Sequence, residues 1–235
     1  MWLGNKINDN VYELYFEFLK YVDEQTVEQV ALASQRISWV KVLGHGQAKV
    51  NKLPLFLKEV MQKMEPRSGV LTNEAFSGFY DNGNFGQGDL IVEYDKKRLF
   101  LSELKIPTTL EESNLVGNIY FANYPVWVGR AVDTYFYKIW PELYLSNVVS
   151  NDFISKRFKI DHLGEAMPFD LISVKMYLSK IYSKGLSLNF DIYLNNGKKL
   201  AVAQQSLLWV KRDKLVAPTA ADLPKHLINS ITKQN

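Results

Sequence analysis

A twelve-residue stretch near the start of the chain returns, altered but in register, near its end. VALASQRISWVK (Val30 to Lys41) is matched by LAVAQQSLLWVK (Leu200 to Lys211). Adding 170 to each number pairs Ala31, Ala33, Gln35, Trp39, Val40 and Lys41 with Ala201, Ala203, Gln205, Trp209, Val210 and Lys211. The same offset pairs Leu53, Pro54 and Leu57 with Leu223, Pro224 and Leu227. That makes nine identities over the 27 positions from 31 to 57, where average residue usage gives roughly two. Upstream the offset becomes 174 and sets Leu14, Phe16 and Phe18 against Leu188, Phe190 and Ile192. The four extra residues of the first copy fall at a hairpin turn, which the second copy makes with Asn195-Asn196-Gly197. A repeat of this kind restricts the chain to folds in which one supersecondary unit occurs twice.

Each copy reads as two strands, a loop and a terminal helix. SLNFDIYL and the residues around AVAQQSLLWV alternate apolar with polar, as half-buried antiparallel strands do. LPLFLKEVMQKM and LPKHLINSI each carry a proline that a first helical turn tolerates, then helical spacing. Ahead of the second hairpin come a strand from Arg98 to Ile106, an apolar segment from Asn123 to Tyr144 and a strand from Ile172 to Tyr182. Ahead of the first there are only about ten residues. The pattern predicts an α+β protein with one whole β-α-β-β-β unit over residues 91–235. Residues 1–64 form only the rear half of another, with two to three strands and a helix. Either this sequence has lost the front of that unit or another chain completes it. Residues 65–90, rich in Gly, Asn and Ser, read as a linker, with a short helix over Asn73 to Phe79 capped by Thr72 or Asn73. The run Gly83 to Gly88 lacks the Lys-Ser/Thr of a phosphate loop and belongs to that linker.

Composition narrows the function classes. The chain has 235 residues, 47% hydrophobic and 23% charged, enough for one large or two small cored domains. No window holds the ~18 apolar residues of a spanning helix, and MWLGNKINDN is too polar for a signal peptide. Without cysteine there is no disulfide framework, no thiolate nucleophile and no Cys-ligated zinc. The three histidines, His45, His162 and His226, are isolated, so no metal site is expected. A net charge of +3 does not suggest a nucleic-acid partner, but it leaves a modest basic rim for an acidic one. The expectation is a cytoplasmic protein.

The most informative stretch is EESNLVGNIYFANYPVWVGRAVDTYFYKIW, Glu111 to Trp140. Asn123 is a good N-cap and Pro125 fits the first turn, so a helix runs to about Trp140, before Pro141. Val126, Trp127, Val128, Ala131, Val132, Tyr135, Phe136 and Ile139 leave it little polar face, which predicts burial on several sides. A sheet wrapped around a single helix is the economical arrangement.

The motif Asn114-Leu115-Val116-Gly117-Asn118-Ile119-Tyr120-Phe121-Ala122-Asn123-Tyr124, followed by Trp127 and Gly129-Arg130, resembles the hotdog-fold acyl-thioester hydrolases. The likeness is greatest to thioesterases of enediyne polyketide assembly lines and weaker to 4-hydroxybenzoyl-CoA thioesterases. His162 to Val174, with Pro168 and Asp170, and the ending LLWVKRDKLVAPTAADLPKHL extend it over about residues 98–230. The fold itself hosts thioesterases, dehydratases and isomerases alike.

Thioester hydrolysis needs a polarised carbonyl, a positioned water and donors aimed at the developing oxyanion. The first turn of a helix supplies free N–H groups and a positive dipole end, here around Phe121 to Tyr124. The resemblance makes the Phe121 amide the oxyanion donor. At the position of Asn114 the hydroxybenzoyl-CoA relatives carry a carboxylate, which asparagine replaces with hydrogen bonding but no base; the enediyne enzymes also have Asn there. Tyr124 matches a tyrosine used near the thioester, and Arg130 would meet a phosphate or carboxylate. The family's further arginine falls where this chain has Val132. The resemblance also places Gly117, Asn118, Tyr120 and Trp127 at the substrate, along an apolar bore beside the helix. Alternatives stay open: Asn114 as a turn former, Tyr124 as packing, Arg130 paired with Asp133 on one helix face. Glu111 and Glu112 are the nearest carboxylates and read as solvated. His162 beside Asp161 reads as a surface residue in a loop.

What the resemblance implies is an enzyme releasing an acyl or polyketide chain from an acyl carrier protein or CoA, with no cofactor beyond that phosphopantetheine carrier. Lys211, Arg212 and Lys214 are the expected rim contacts for an acidic carrier. A double-hotdog dehydratase or acyltransferase-decarboxylase, and a non-catalytic acyl-binding module, are the competing expectations. Hotdog units pair, so a homodimer or an internal pseudo-dimer is expected.

Overall fold

The computed structural model describes residues 2–8, 10–22, 26–44, 47–63, 87–94, 98–145, 151–213 and 216–233. The chain divides into two compact units, Met1–Phe79 and Tyr80–Asn235. Most of the predicted linker, its short helix and Lys214 lie outside the described residues.

In the first unit, β1 (Trp2–Asn8), β2 (Val11–Tyr21) and β3 (Val27–Ser38) form an antiparallel sheet in that order. β4 (Val40–Gly44) and β5 (Gln47–Val50) make a separate hairpin, and α1 (Leu55–Lys63) follows. The predicted hairpin and terminal helix are there; the β4–β5 hairpin is additional. Across β2 and β3, Leu14 stands opposite Gln35, Phe16 opposite Ala33 and Phe18 opposite Ala31, with a bulge after Phe18.

The second unit contains β6 (Leu90–Glu93), β7 (Leu99–Pro107), a 3₁₀ turn (Leu110–Glu112), α2 (Asn123–Ile139) and α3 (Glu142–Leu145). β8 (Asn151–His162), β9 (Leu171–Tyr182), β10 (Gly185–Leu194), β11 (Lys199–Asp213), β12 (Val216–Ala220) and α4 (Lys225–Thr232) complete it. Seven strands form one antiparallel sheet in which β10 is central, β9 also pairs with β6 and β7, and β11 with β8 and β12. Strand β8 makes an eleven-pair ladder with β11 from Asn151 to His162. The β-α-β-β-β expectation therefore lacks three strands, β6, β8 and β12.

Alternation decides which side chains enter the core. Ile172, Val174, Met176 and Leu178 of β9, Leu186, Leu188, Phe190 and Ile192 of β10, and Ala201 and Ala203 of β11 lie on one sheet face and are buried. They share a core with Tyr124, Trp127, Val128, Ala131, Val132, Tyr135 and Phe136 of α2. That i, i+3, i+4, i+7 spacing is a single stripe. Val126, Arg130, Asp133, Thr134, Tyr137 and Lys138 are exposed on the opposite side. Burial on several sides is thus corrected: the sheet cradles one face of the helix and leaves the other bare.

Gly185 opens β10 because nothing larger fits. A Cβ there would lie 2.3 Å from the Leu207 carbonyl oxygen, beside the Gln87 amide that donates to the carbonyls of Leu186 and Leu207. Gly185→Ala is expected to destabilise the unit by about 1–3 kcal/mol, read as a shifted urea midpoint.

Candidate functional site

The stretch before α2 is pinned by one carboxylate. Glu112 Oε2 accepts from the Thr109 amide at 2.8 Å and the Thr109 hydroxyl at 3.3 Å, and Oε1 accepts from Trp127 Nε1 at 3.1 Å. Its backbone oxygen accepts from the Tyr120 amide at 2.8 Å and from Asn123 Nδ2 at 2.9 Å. Glu112 therefore ties the 3₁₀ turn to the first turns of the helix, and it is not the solvated acid expected. Glu111 is exposed. Asn123 is likewise not the cap: Ala122 holds that position without a side-chain bond, and the Asn123 amide group reaches back to Glu112 instead.

Asn114 builds a tight turn. Its Oδ1 accepts from the Val116 amide at 2.8 Å and its carbonyl from the Gly117 amide at 2.9 Å. Gly117 takes φ +91°, a region that favours glycine. Asn118 is buried, and its Oδ1 finds no donor among the described residues. A buried acceptor left open in this way calls for a partner.

At the amino end of α2 the amides divide sharply. Those of Ile119, Tyr120, Asn123 and Tyr124 are bonded to carbonyls of Ala166, Glu112, Tyr120 and Phe121. Those of Phe121 and Ala122 have no acceptor among the described residues. Two unengaged donors at the positive end of a 17-residue helix form an anion-accepting point.

Tyr124 is buried beneath this point. Its hydroxyl accepts from the Ala166 amide at 3.2 Å and donates weakly to the Gly164 carbonyl at 3.4 Å, and burial raises its pKa above the usual phenol value. Its ring lies 4.7 Å from Trp127 and 4.9 Å from His162. His162 also meets the Phe121 ring edge-on at 6.3 Å. Although the residue as a whole is exposed, desolvation beside these rings lowers the imidazole pKa below its ordinary value; Asp161 pulls the other way. Asp161 is no dyad partner: neighbours on a strand point to opposite faces, and it pairs with Lys159 at 3.1 Å. The loop expectation for His162 is thereby corrected, while its exposure is as expected. It ends β8 on the face that carries Phe158 and Ile160, a placement the alternation of RFKIDH contains.

The remaining candidates scatter. Trp127 is fully enclosed. Tyr120 and Phe121, with rings 4.6 Å apart, are nearly half exposed. Arg130 is exposed and has no ion pair among the described residues; the Asp133 carboxylate instead accepts from the Tyr144 hydroxyl at 3.3 Å. Lys211 is exposed, and Arg212 is paired with Asp152 at 2.9 Å. Leu115, Leu163 and Phe169, on the loops beside the site, are strongly exposed, Phe169 with φ +71°. A groove of about 340 Å³ lies away from the site on the outer sheet face, between Lys105, Lys175 and Tyr193. Among the described residues no group of three His, Asp or Glu is placed to hold a metal, and no helix is long and apolar enough to cross a membrane.

One long helix packed on the face of an antiparallel sheet is the arrangement of the hotdog fold, and the second unit has it. Solved structures agree. The dynemicin thioesterase, described with a bound polyene, is 22% identical, with a TM-score of 0.51 over 56% of this chain and 94% of its own. A 1,4-dihydroxy-2-naphthoyl-CoA thioesterase from Synechocystis is 16% identical, TM-score 0.50, over 56% and 96%. A Staphylococcus aureus protein solved in complex with CoA is 14% identical, TM-score 0.52, over 57% and 82%. At these identities the likeness is one of fold. No protein-family model and no curated protein matches the sequence.

Proposed function

We propose that the second unit hydrolyses an acyl thioester at the amino end of α2. The observation that carries this is the pair of unengaged amides at Phe121 and Ala122, with the His162 imidazole against the Phe121 ring. Neutral His162 takes a proton from water as the water oxygen bonds to the thioester carbon. The carbonyl oxygen becomes an oxyanion met by the Phe121 amide. The C–S bond then breaks and the imidazolium returns its proton to the departing thiolate, giving acid and thiol.

The other residues position. Asn114 Nδ2, left over after Oδ1 is used by the turn, orients the carbonyl. Tyr124 holds the 164–166 loop beside His162 and stays protonated. Gly117, Asn118 and Tyr120 line the pantetheine arm. Arg130 meets a carrier phosphate, and Trp127 supports the site from within the core. The carrier is CoA or the phosphopantetheine of an acidic carrier protein, with Lys211 as a rim contact. The likeness to a polyene-binding thioesterase and to a CoA complex supports an extended, polyketide-type acyl chain on either carrier. The exposed Leu115, Phe121, Leu163 and Phe169 suit coverage by a second hotdog unit, as a homodimer or pseudo-dimer. We read residues 1–64 as the rear half of such a unit, by duplication.

A second reading, acyl binding without turnover, draws on the absence of a carboxylate at Asn114. The dehydratase alternative is weakened by the exposed Asp133, which accepts from Tyr144. Incubation with acyl-pantetheine and acyl-CoA thioesters, following free thiol, decides among them. Thiol release is expected, with an acid of hydrolysed mass, and Asn114→Ala is expected to slow it about tenfold, one hydrogen bond's worth at the transition state. Binding without thiol release overturns hydrolysis in favour of the binding module.

A further inference from the structure

The cross-strand pairs of the two units coincide. In the second unit Leu188 stands opposite Gln205, Phe190 opposite Ala203 and Ile192 opposite Ala201, with a bulge after Ile192. In the first unit the matching residues make the same three pairs, Leu14–Gln35, Phe16–Ala33 and Phe18–Ala31, with the bulge after Phe18. What differs is coverage. Ile192 is 0% exposed and Phe18 is 52% exposed.

The same contrast recurs beside the terminal helix. Trp140, at the end of α2, stacks on Trp209 at 5.5 Å and meets His226 edge-on at 4.7 Å. Trp209 is 1% exposed. Its counterpart at offset 170, Trp39, is 40% exposed; Phe56, the counterpart of the exposed His226, is exposed as well. In the first unit Leu14, Phe16, Ala31 and Ala33 are therefore half-buried and Phe18 and Trp39 exposed, where every counterpart in the second unit is covered.

We infer that the apolar face of β2 and β3 docks a strand-and-helix segment with the chemistry of β7 and α2. Such a helix carries an apolar stripe at i, i+3, i+4 and i+7 and a terminal aromatic, with polar residues on its outer side. The occupant is a segment of a different polypeptide, neither this chain nor a second copy of it, and it completes a second hotdog unit. The inference is independent of catalysis at α2.

The absence of cysteine from the chain gives a clean test. Ala33→Cys places a lone thiol on the docking face, and Ser34→Cys places one on the opposite face as control. Residues 98–145 of this chain, joined by a flexible linker ahead of Met1, serve as the probe. The maleimide reaction at position 33 is expected to slow about tenfold or more in the extended chain, with position 34 unchanged. Trp127→Asp within the added segment restores fast reaction. Equal rates at position 33 with and without the added segment overturn the inference. So does slow reaction in the unextended chain, which shows the face already covered: by the chain itself if the rate is independent of protein concentration, by a second copy if it is not.

Discussion

His162→Gln is expected to lower kcat/KM for thioester hydrolysis by about 10²–10⁴-fold, the usual contribution of a positioned general base. Asn114 cannot take a proton, Glu112 has both oxygens occupied, Asp170 accepts from the Met167 amide, and Glu111 and Glu165 are exposed, whereas the His162 ring packs against Phe121 and Tyr124, so His162 is the base proposed. Desolvation beside Tyr124 and Phe121 lowers its pKa from 6.5, opposed by Asp161, whose charge is shared with Lys159. Neutral imidazole is the active form, so the rate falls as pH drops through that lowered pKa and is level above it. Stability follows the same sign. A group whose folded pKa is depressed contributes stability above its unfolded pKa, and that stability is lost as pH falls through the folded value. The wild-type profile, followed by thiol release from about pH 5 to 9, should therefore show an acid limb that His162→Gln lacks. A variant that keeps the limb, or the rate, removes His162 from the mechanism.

Some of this architecture is plain in the residues, and some is hidden by long-range pairing. The repeat at offset 170 locates matching hairpins before any coordinates, because cross-strand partners such as Phe190 and Ala203 are selected together. The long helix and the strand to Tyr182 are legible from periodicity within a residue or so at each end. Strand β8 was harder to see: ISKRFKID is short of large apolar residues, as suits a strand at the sheet margin whose order comes from its ladder with β11. Missing β8 also misplaced His162, since only a strand puts it on the face opposite Asp161. The capping signal was present but passed over. Thr109-Leu110-Glu111-Glu112 has the Thr-x-x-Glu spacing of a capping box, and it identifies Glu112 as a tied carboxylate where Asn123 looked like the cap. The open amides of Phe121 and Ala122 depend on which carbonyls the loop brings near, and no local pattern contains that.

Glu112→Ala is expected to destabilise the second unit by about 2–4 kcal/mol. Loss of a capping interaction costs about 0.5–2 kcal/mol. Orphaning the buried Trp127 Nε1–H adds about 1–3 kcal/mol, because no water reaches an indole that is 0% exposed. A second effect reaches the site without touching substrate. The Glu112 backbone holds Tyr120 and Asn123, the residues on either side of the free amides, and its side chain holds the 3₁₀ turn in line with them. A displacement of about 1 Å at a catalytic donor costs about 10²-fold, so kcat should fall by that order while KM changes little. Glu112→Gln separates positioning from proton transfer. The amide oxygen still accepts from Trp127 or Thr109, so much of the stability and kcat should return, whereas a catalytic base would lose its function in both variants. Urea denaturation and steady-state kinetics on the two variants read these effects independently. If Glu112→Ala loses stability with kcat intact, Glu112 is a structural anchor alone, and the oxyanion donor does not depend on the loop it ties down.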